Sequence, residues 1–158
     1  MRRRLPKPRP EKMNRIEFNT EEVSLPFRTK AAGRFIRKVL SRLGLDNWDL
    51  SVFFCSNRYI KSLNAKYRSK DEATDVLSFP LGEMSPGGRF LAGDIVVSLD
   101  ALKENAGFFN VSENEELRRL LVHGILHLMG EDHKTNGEGE SMLVTQEEIL
   151  AHETEKII

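Results

Sequence analysis

Three of the four histidines in this 158-residue chain fall within one stretch, HGILHLMGEDH, at His123, His127 and His133. Histidine fills an apolar core poorly and is the side chain that most often binds metal, so a cluster this tight points to metal ligation. In EELRRLLVHGILHLMG, His123 and His127 stand four residues apart. A helix sets such a pair one turn above the other on one face, with ring nitrogens able to converge on a single ion. Gly130 tolerates the left-handed conformation that ends many helices, so the chain can turn there and bring His133 back to the same point. Three neutral imidazoles and one open position describe a catalytic zinc site better than a structural one, because structural sites fill all four positions with Cys and His. Cys55 lies far upstream, and His152 is the one histidine outside the cluster. A closed site therefore has few candidates for its fourth donor.

The three histidines and the glycine stand as in the zinc-protease pattern H-E-x-x-H-x-x-G-x-x-H, but Gly124 occupies the position of the glutamate. That glutamate takes a proton from water and returns it to the leaving amine, so its loss keeps the Lewis acid and removes the proton carrier. Peptide hydrolysis is the weaker reading, and phosphodiester hydrolysis demands less proton delivery. Asp132, beside the third histidine, reads either as a carboxylate that orients a histidine ring or shuttles a proton, or equally as the Asp that fixes the G-E-D-H turn. Asp75 and Asp94 lie at or near strand ends and stay unassigned.

The elements that must position these side chains follow from periodicity. Ser112 with Glu115 makes a capping-box pattern that opens the histidine helix, and Leu117, Leu120, Leu121, Val122, Ile125, Leu126, Leu128 and Met129 surround it almost completely, which predicts a buried helix. Upstream, RIEFNT reads as a short strand. Apolar residues from Ala32 to Leu43 recur at helical spacing, with Gly44 as a C-cap. WDLSVFFC from Trp48 to Cys55 is strand-like, and Asn57 offers an N-cap to a helix reaching Tyr67 or Arg68. On that helix Ile60, Leu63 and Tyr67 share one side, while Arg58, Lys61 and Arg68 lie roughly opposite. Such a basic stripe is first an ordinary solvated face and second a contact for nucleic-acid phosphates. Asp75 to Phe79 is a strand that Pro80 ends, and LAGDIVVSLD is its hairpin partner across the turn-rich LGEMSPGGRF. Ala101–Phe109 is a short helix, and a last helix runs from about Glu140 to Glu155. The aromatic residues Phe53, Phe54 and Phe79 could stack bases, but aromatic residues in strands are far more often core.

Composition bounds the rest. A chain of this length builds one core rather than two, and 39% hydrophobic with 30% charged residues reads as soluble and globular. No apolar run approaches the ~20 residues of a membrane span. The N-terminus MRRRLPKPRPEKMNR has no apolar stretch behind its charges, so it is not a secretory signal, and the expected location is cytoplasmic. A single cysteine excludes an internal disulfide. Formal net charge is zero, yet residues 1–15 carry seven Lys or Arg against one Glu, while residues 131–158 carry eight acids against two bases. The tail, with three prolines in five positions, is expected to be disordered to about Asn14, leaving residues 15–158 as one domain.

The motifs together resemble the YbeY family of metal-dependent endoribonucleases. HGILHLMGEDH at 123–133 fits that family's H-G-x-L-H-L-x-G-x-D-H, and YRSKDEATDVLSFP at 67–80 and GDI at 93–95 fit in the same order. The likeness runs from about Arg15 to His152. It implies a zincin-like α+β domain: a small mixed sheet of about four strands packed with helices, one of them a buried metal-binding helix. It further implies one zinc per chain held by His123, His127 and His133, although nickel or another divalent ion suits three imidazoles as well. Arg68 matches the family's functional arginine alongside His123, and Arg58 and Lys61 become candidate RNA contacts with it. The implied activity is single-strand-specific cleavage of RNA in ribosomal RNA processing, including 16S ribosomal RNA 3′ end maturation, and in ribosome quality control. Implied partners are ribosomal RNA and the ribosome or its proteins, with no membrane and no DNA. Two alternatives stay open: a metalloprotease-like hydrolase, and a ribosome-associated factor whose zinc is purely structural.

Overall fold

The computed structural model describes residues 13–130 and 136–158, with side chains at 13–130 and 141–158. In these residues the elements follow in the order β1 (Arg15–Glu21), α1 (Thr29–Arg42), β2 (Trp48–Cys55), α2 (Asn57–Arg68), β3 (Val76–Met84), β4 (Phe90–Ser98), α3 (Leu99–Phe109), α4 (Glu113–Leu128) and α5 (Asn136–His152). The strands form one mixed sheet in the order β1-β2-β4-β3. β1 and β4 both run parallel to β2, and β3 returns antiparallel beside β4 at the edge. The expected α+β class with a small four-stranded mixed sheet is the one observed.

Strand alternation explains the layers. Leu50, Val52 and Phe54 of β2 and Ile95 and Val97 of β4 face one side, where they meet Phe35, Ile36 and Val39 of α1 and Leu117, Leu121 and Ile125 of α4 in the main core. Cys55, Val96 and Leu77 point to the other side and are covered by Ile60 of α2. WDLSVFFC therefore alternates: Trp48, Leu50, Val52 and Phe54 are buried on the main-core face, while Asp49, Ser51 and Phe53 on the other face are half-buried.

Several boundaries differ from the periodicity reading. The N-cap of α2 is Ser56, whose Oγ accepts the Tyr59 amide at 3.2 Å, not Asn57. Asn57 is instead the first helical residue, and it ties α2 to α3 by donating its backbone N–H to Asp100 and accepting the Ser98 hydroxyl. Ser98 in turn caps α3, which begins at Leu99 rather than Ala101. The last helix starts at Asn136 and ends at His152. Pro80 does not end β3. The strand passes through a bulge in which pairing steps from Pro80↔Gly93 to Glu83↔Leu91. At a sheet edge the missing proline N–H faces outward and costs no ladder bond. Gly93 makes the bulge possible: its φ is +130°, and a Cβ there would lie 2.1 Å from the Phe79 carbonyl oxygen.

Residues 1–12 of the expected tail lie outside the described residues. Asn14, taken from the sequence as the tail's last residue, is buried. Its side chain donates to the Leu45 carbonyl and accepts the Trp48 amide, both at 2.9 Å. Arg89 clamps the same corner. Its buried guanidinium donates to Asp49 at 2.7 Å and to the Met13 carbonyl at 2.6 Å. An arginine this buried bonds its donors within the protein because each unpaired one would bear its full desolvation penalty.

Helix α4 packs tightly on the sheet at Gly124. A Cβ at this position would lie 2.7 Å from Ile95 Cγ2, and Ile95 is fully buried. Gly124→Ala is therefore expected to destabilise the fold by about 1–3 kcal/mol through overpacking. Chemical denaturation checks this, and the Gly124→Ala, Ile95→Ala double variant should lose less than the sum of the two single variants, since one change fills the space the other opens.

Candidate active site

The helix α4 begins with Ser112, whose Oγ accepts the Glu115 amide at 3.0 Å. Glu113, Glu115 and Glu116 occupy its first turn and His127 its last, the charge order that suits a helix dipole. Its apolar side is buried against the sheet as expected, and His123 and His127 emerge half-buried from the neighbouring side. Their Nε2 atoms lie 3.0 Å apart, with the rings at 69° to one another. His123 Nδ1 lies 3.0 Å from Oε1 of Gln146, a buried residue of α5. This contact with a side-chain amide holds the His123 ring with its Nε2 toward Nε2 of His127.

That arrangement fits a metal ion. Two nitrogens bound to one tetrahedral zinc at the usual bond length lie about 3.3 Å apart, within a few tenths of an ångström of the observed spacing. Among the described residues, no three His, Cys, Asp or Glu side chains gather as a metal-holding group. His133 and Asp132 lie outside the described residues. Gly130, three positions before His133, has φ +86°, the left-handed turn expected after the helix. The two other donors weighed from the sequence sit elsewhere. His152 is exposed on α5 with Nδ1 2.8 Å from the Glu148 carbonyl. Cys55 is buried beneath α2 on the opposite face of the sheet, and its thiol is pushed up to about 12, by burial first and then by the charge of Asp100.

Arg68 is the last residue of α2, and Ser69 follows in the left-handed conformation and turns the chain away. The guanidinium Nη2 donates to the Ser78 carbonyl at 2.6 Å and lies over Phe79, 5.6 Å from the ring centre. Arg68 thereby leaves the basic stripe read from helical spacing and joins His123 and His127 on one open cleft of about 690 Å³, also lined by Lys70, Thr74 and Asp75. Arg58 and Lys61 stay on the solvent side of α2, and Arg58 lies 4.0 Å from Glu22. The stripe is thus divided: one arginine faces the cleft, and the other two basic residues do not line it.

Ser78, Gln146, Asn105 and Glu116 escape the sequence reading, which also leaves Asp75 unassigned. Ser78, buried in β3, donates its hydroxyl to the Gly124 carbonyl at 2.9 Å and so pins α4 beside the cleft. Gln146 orients His123. Asp75 accepts the Val76 amide through one carboxylate oxygen and the Asn105 side-chain amide through the other. The same Asn105 nitrogen reaches Glu116 at 3.3 Å, and burial raises the Glu116 carboxyl above its usual range. The i, i+7 spacing of Glu116 and His123 is the one local signal for this group; the contacts across α3, α5 and β3 have none. Asp94 stands apart from the cleft, beside Ser51, and burial raises its carboxyl too. Phe54 is fully buried and Phe53 and Phe79 pack in the smaller core, as expected of strand aromatic residues.

The family described as Endoribonuclease YbeY matches residues 15–154. An Endoribonuclease YbeY from Treponema denticola is 54% identical over 120 residues, covering 73% of this chain and 77% of that protein. One from Treponema pallidum is 43% identical over 143 residues, covering 88% of this chain and 89% of that protein. The solution structure of TM1509 from Thermotoga maritima superimposes with a TM-score of 0.59 at 30% identity, over 85% of this chain and 86% of that one.

Burial and the raised thiol make Cys55 inert in the native state. A thiol reagent at pH 8 is expected to label it only as fast as the protein opens, so added denaturant should accelerate labelling in step with unfolding. Rapid labelling of the native protein would contradict this placement.

Proposed function

The chain belongs to the YbeY family of endoribonucleases and hydrolyses RNA, and from that premise we propose that it cuts unpaired ribosomal RNA at a metal ion held by His123, His127 and His133. The observation that carries this reading is the meeting of two imidazoles, their Nε2 atoms 3.0 Å apart, and one arginine on a single open cleft. Zinc is the first choice of ion and nickel an alternative for the same donor set. Bound there, the ion would supply Lewis-acid polarisation and lower the pKa of water.

The chain's own residues set up the rest. Arg68 is held by the Ser78 carbonyl with further guanidinium N–H groups available for a phosphate, and its planar fork suits phosphoryl oxygens better than an ammonium would. We assign it the offsetting of negative charge that develops on those oxygens. Lys70 on the same cleft is a second point of attraction for the backbone. Gln146 holds the orientation of the His123 ring toward the cleft. The nucleophile is either water or the RNA 2′-OH. Asp132 is kept as a candidate orienting carboxylate, and Arg58 and Lys61 as outlying RNA contacts. The same reading takes the ribosome or its proteins as partners in the cytoplasm. Among the described residues, no helix is long and apolar enough to cross a membrane.

Gly124 argues against the protease alternative. The residue after the first histidine faces Ile95 across less than a carbon-carbon contact, so no glutamate fits there. Activity on single-stranded RNA should vanish with chelator and return with zinc; chelator-insensitive cutting would overturn the assignment. Arg68→Ala should lower kcat by roughly 10²–10³-fold with the fold intact by circular dichroism. Gln146→Leu should weaken metal binding by about 10–100-fold in a competition titration. A single 2′-deoxy sugar at the cut site separates the nucleophiles: continued cleavage assigns the attack to water.

A further inference from the structure

Behind His123 the molecule carries a second concavity, about 400 Å³, within the ~300–1,000 Å³ range of small-molecule sites. Asp75, Val76 and His123 line both this cavity and the cleft, so the two spaces adjoin along the first histidine. Its walls are mostly apolar, from Val76, Phe109, Val111 and Leu120, and its polar groups come from Asn105, Glu116, Arg119 and Gln146. Phe109 is 61% exposed, and Phe108 beside it is 83% exposed and packs edge-on at 5.0 Å. Two adjacent phenylalanines this exposed do not serve the core.

We propose that this cavity is a nucleobase subsite, which receives one unpaired base next to the phosphate in the cleft. The inference rests on the endoribonuclease reading and adds to it where the substrate's base goes. A flat aromatic wall at the mouth and a few polar groups inside are the combination that holds a splayed-out base, by stacking and by bonds to its edge. Glu116 is 3% exposed and accepts the Asn105 amide at 3.3 Å through one oxygen, with carboxyl acceptor capacity left for an amino group. Bases that carry an exocyclic amino group are favoured over uracil for that reason. Glu116, Leu120, His123 and His127 recur at i, i+4, i+7 and i+11 along α4, so one stripe of a single helix lines cavity and cleft in succession. A base in the cavity would fix the register of the strand against the two histidines.

The test is cleavage of a short unpaired RNA, compared with copies in which one nucleotide at a time near the cut is abasic. One abasic position is expected to raise KM by roughly five- to hundredfold, the range that stacking of one base supplies, with a smaller change in kcat. Val111→Trp, which fills the cavity, and Phe109→Ala, which removes the stacking wall, should bring the ratio of kcat/KM between base-bearing and abasic RNA towards one. Glu116→Gln should narrow the preference for amino-bearing bases over uracil at that same position. Equal cleavage of every abasic copy, or an unaltered ratio in Val111→Trp, would overturn the subsite while leaving the nuclease assignment standing. Failure of the protein to cut any of the RNAs, with metal supplied, would overturn the nuclease reading itself.

Discussion

The position of α4 against β4 is the constraint on which the site depends. At Gly124 the helix backbone comes so near the sheet that Ile95 occupies the volume a side chain would take, and the Ser78 hydroxyl bonds the Gly124 carbonyl from the neighbouring strand. Imidazole is a short side chain, so its reach into the cleft is set by where the helix backbone lies. Gly124 thus does structural work next to a ligand candidate, and the hydrogen bond from β3 fixes the helix in rotation as well as in distance. The Phe79 carbonyl passes Gly93 on the same pair of strands, so two glycines govern how β3 and α4 each approach β4.

Two helices end at the cleft: α2 at Arg68 and α4 at Leu128. Helix C-termini carry partial negative charge, which favours the cations placed there but opposes an incoming phosphate. Arg68 meets that field with a full positive charge tied to the Ser78 carbonyl, and Lys70 adds a second. A divalent ion between the histidines would supply the largest remaining share. On electrostatic grounds such an ion would make the cleft better suited to a polyanion.

Much of the scaffold was legible in the chain because periodicity reports burial. The strand WDLSVFFC, the helix after Arg28 and the Ser112 cap all follow from residue types and spacing, and each is where those features imply. Boundaries that depend on tertiary contacts were not. Asn57 looks like a cap, yet Ser56 takes that role because Asn57 is drawn to Asp100 and Ser98 from α3. Pro80 looks like a terminator, yet on an edge strand its lost donor has no partner to miss. In the site, the histidine pair was legible from its spacing alone. Helical spacing sets Arg68 on a stripe with Arg58 and Lys61, because a helical wheel gives the direction of Cβ and not the reach of a long side chain at the helix end. Gln146 meets His123 from another helix, 23 residues away, and nothing local announces it.

The stripe on α4 couples what would otherwise be separate features. Glu116, Leu120, His123 and His127 share one side of a helix whose adjacent side is locked to the sheet through Gly124. Any shift of the helix therefore moves the buried carboxyl, the cavity wall and both imidazoles as one body, since packed interiors transmit displacement rather than absorb it. Asp75 joins the same unit from β3, because Asn105 holds its carboxylate with the nitrogen that also reaches Glu116. A chain that binds RNA across cavity and cleft thus meets a surface whose two halves keep a constant spacing. Constant spacing between a base pocket and a reactive centre would favour cutting at a defined phosphate over random cutting.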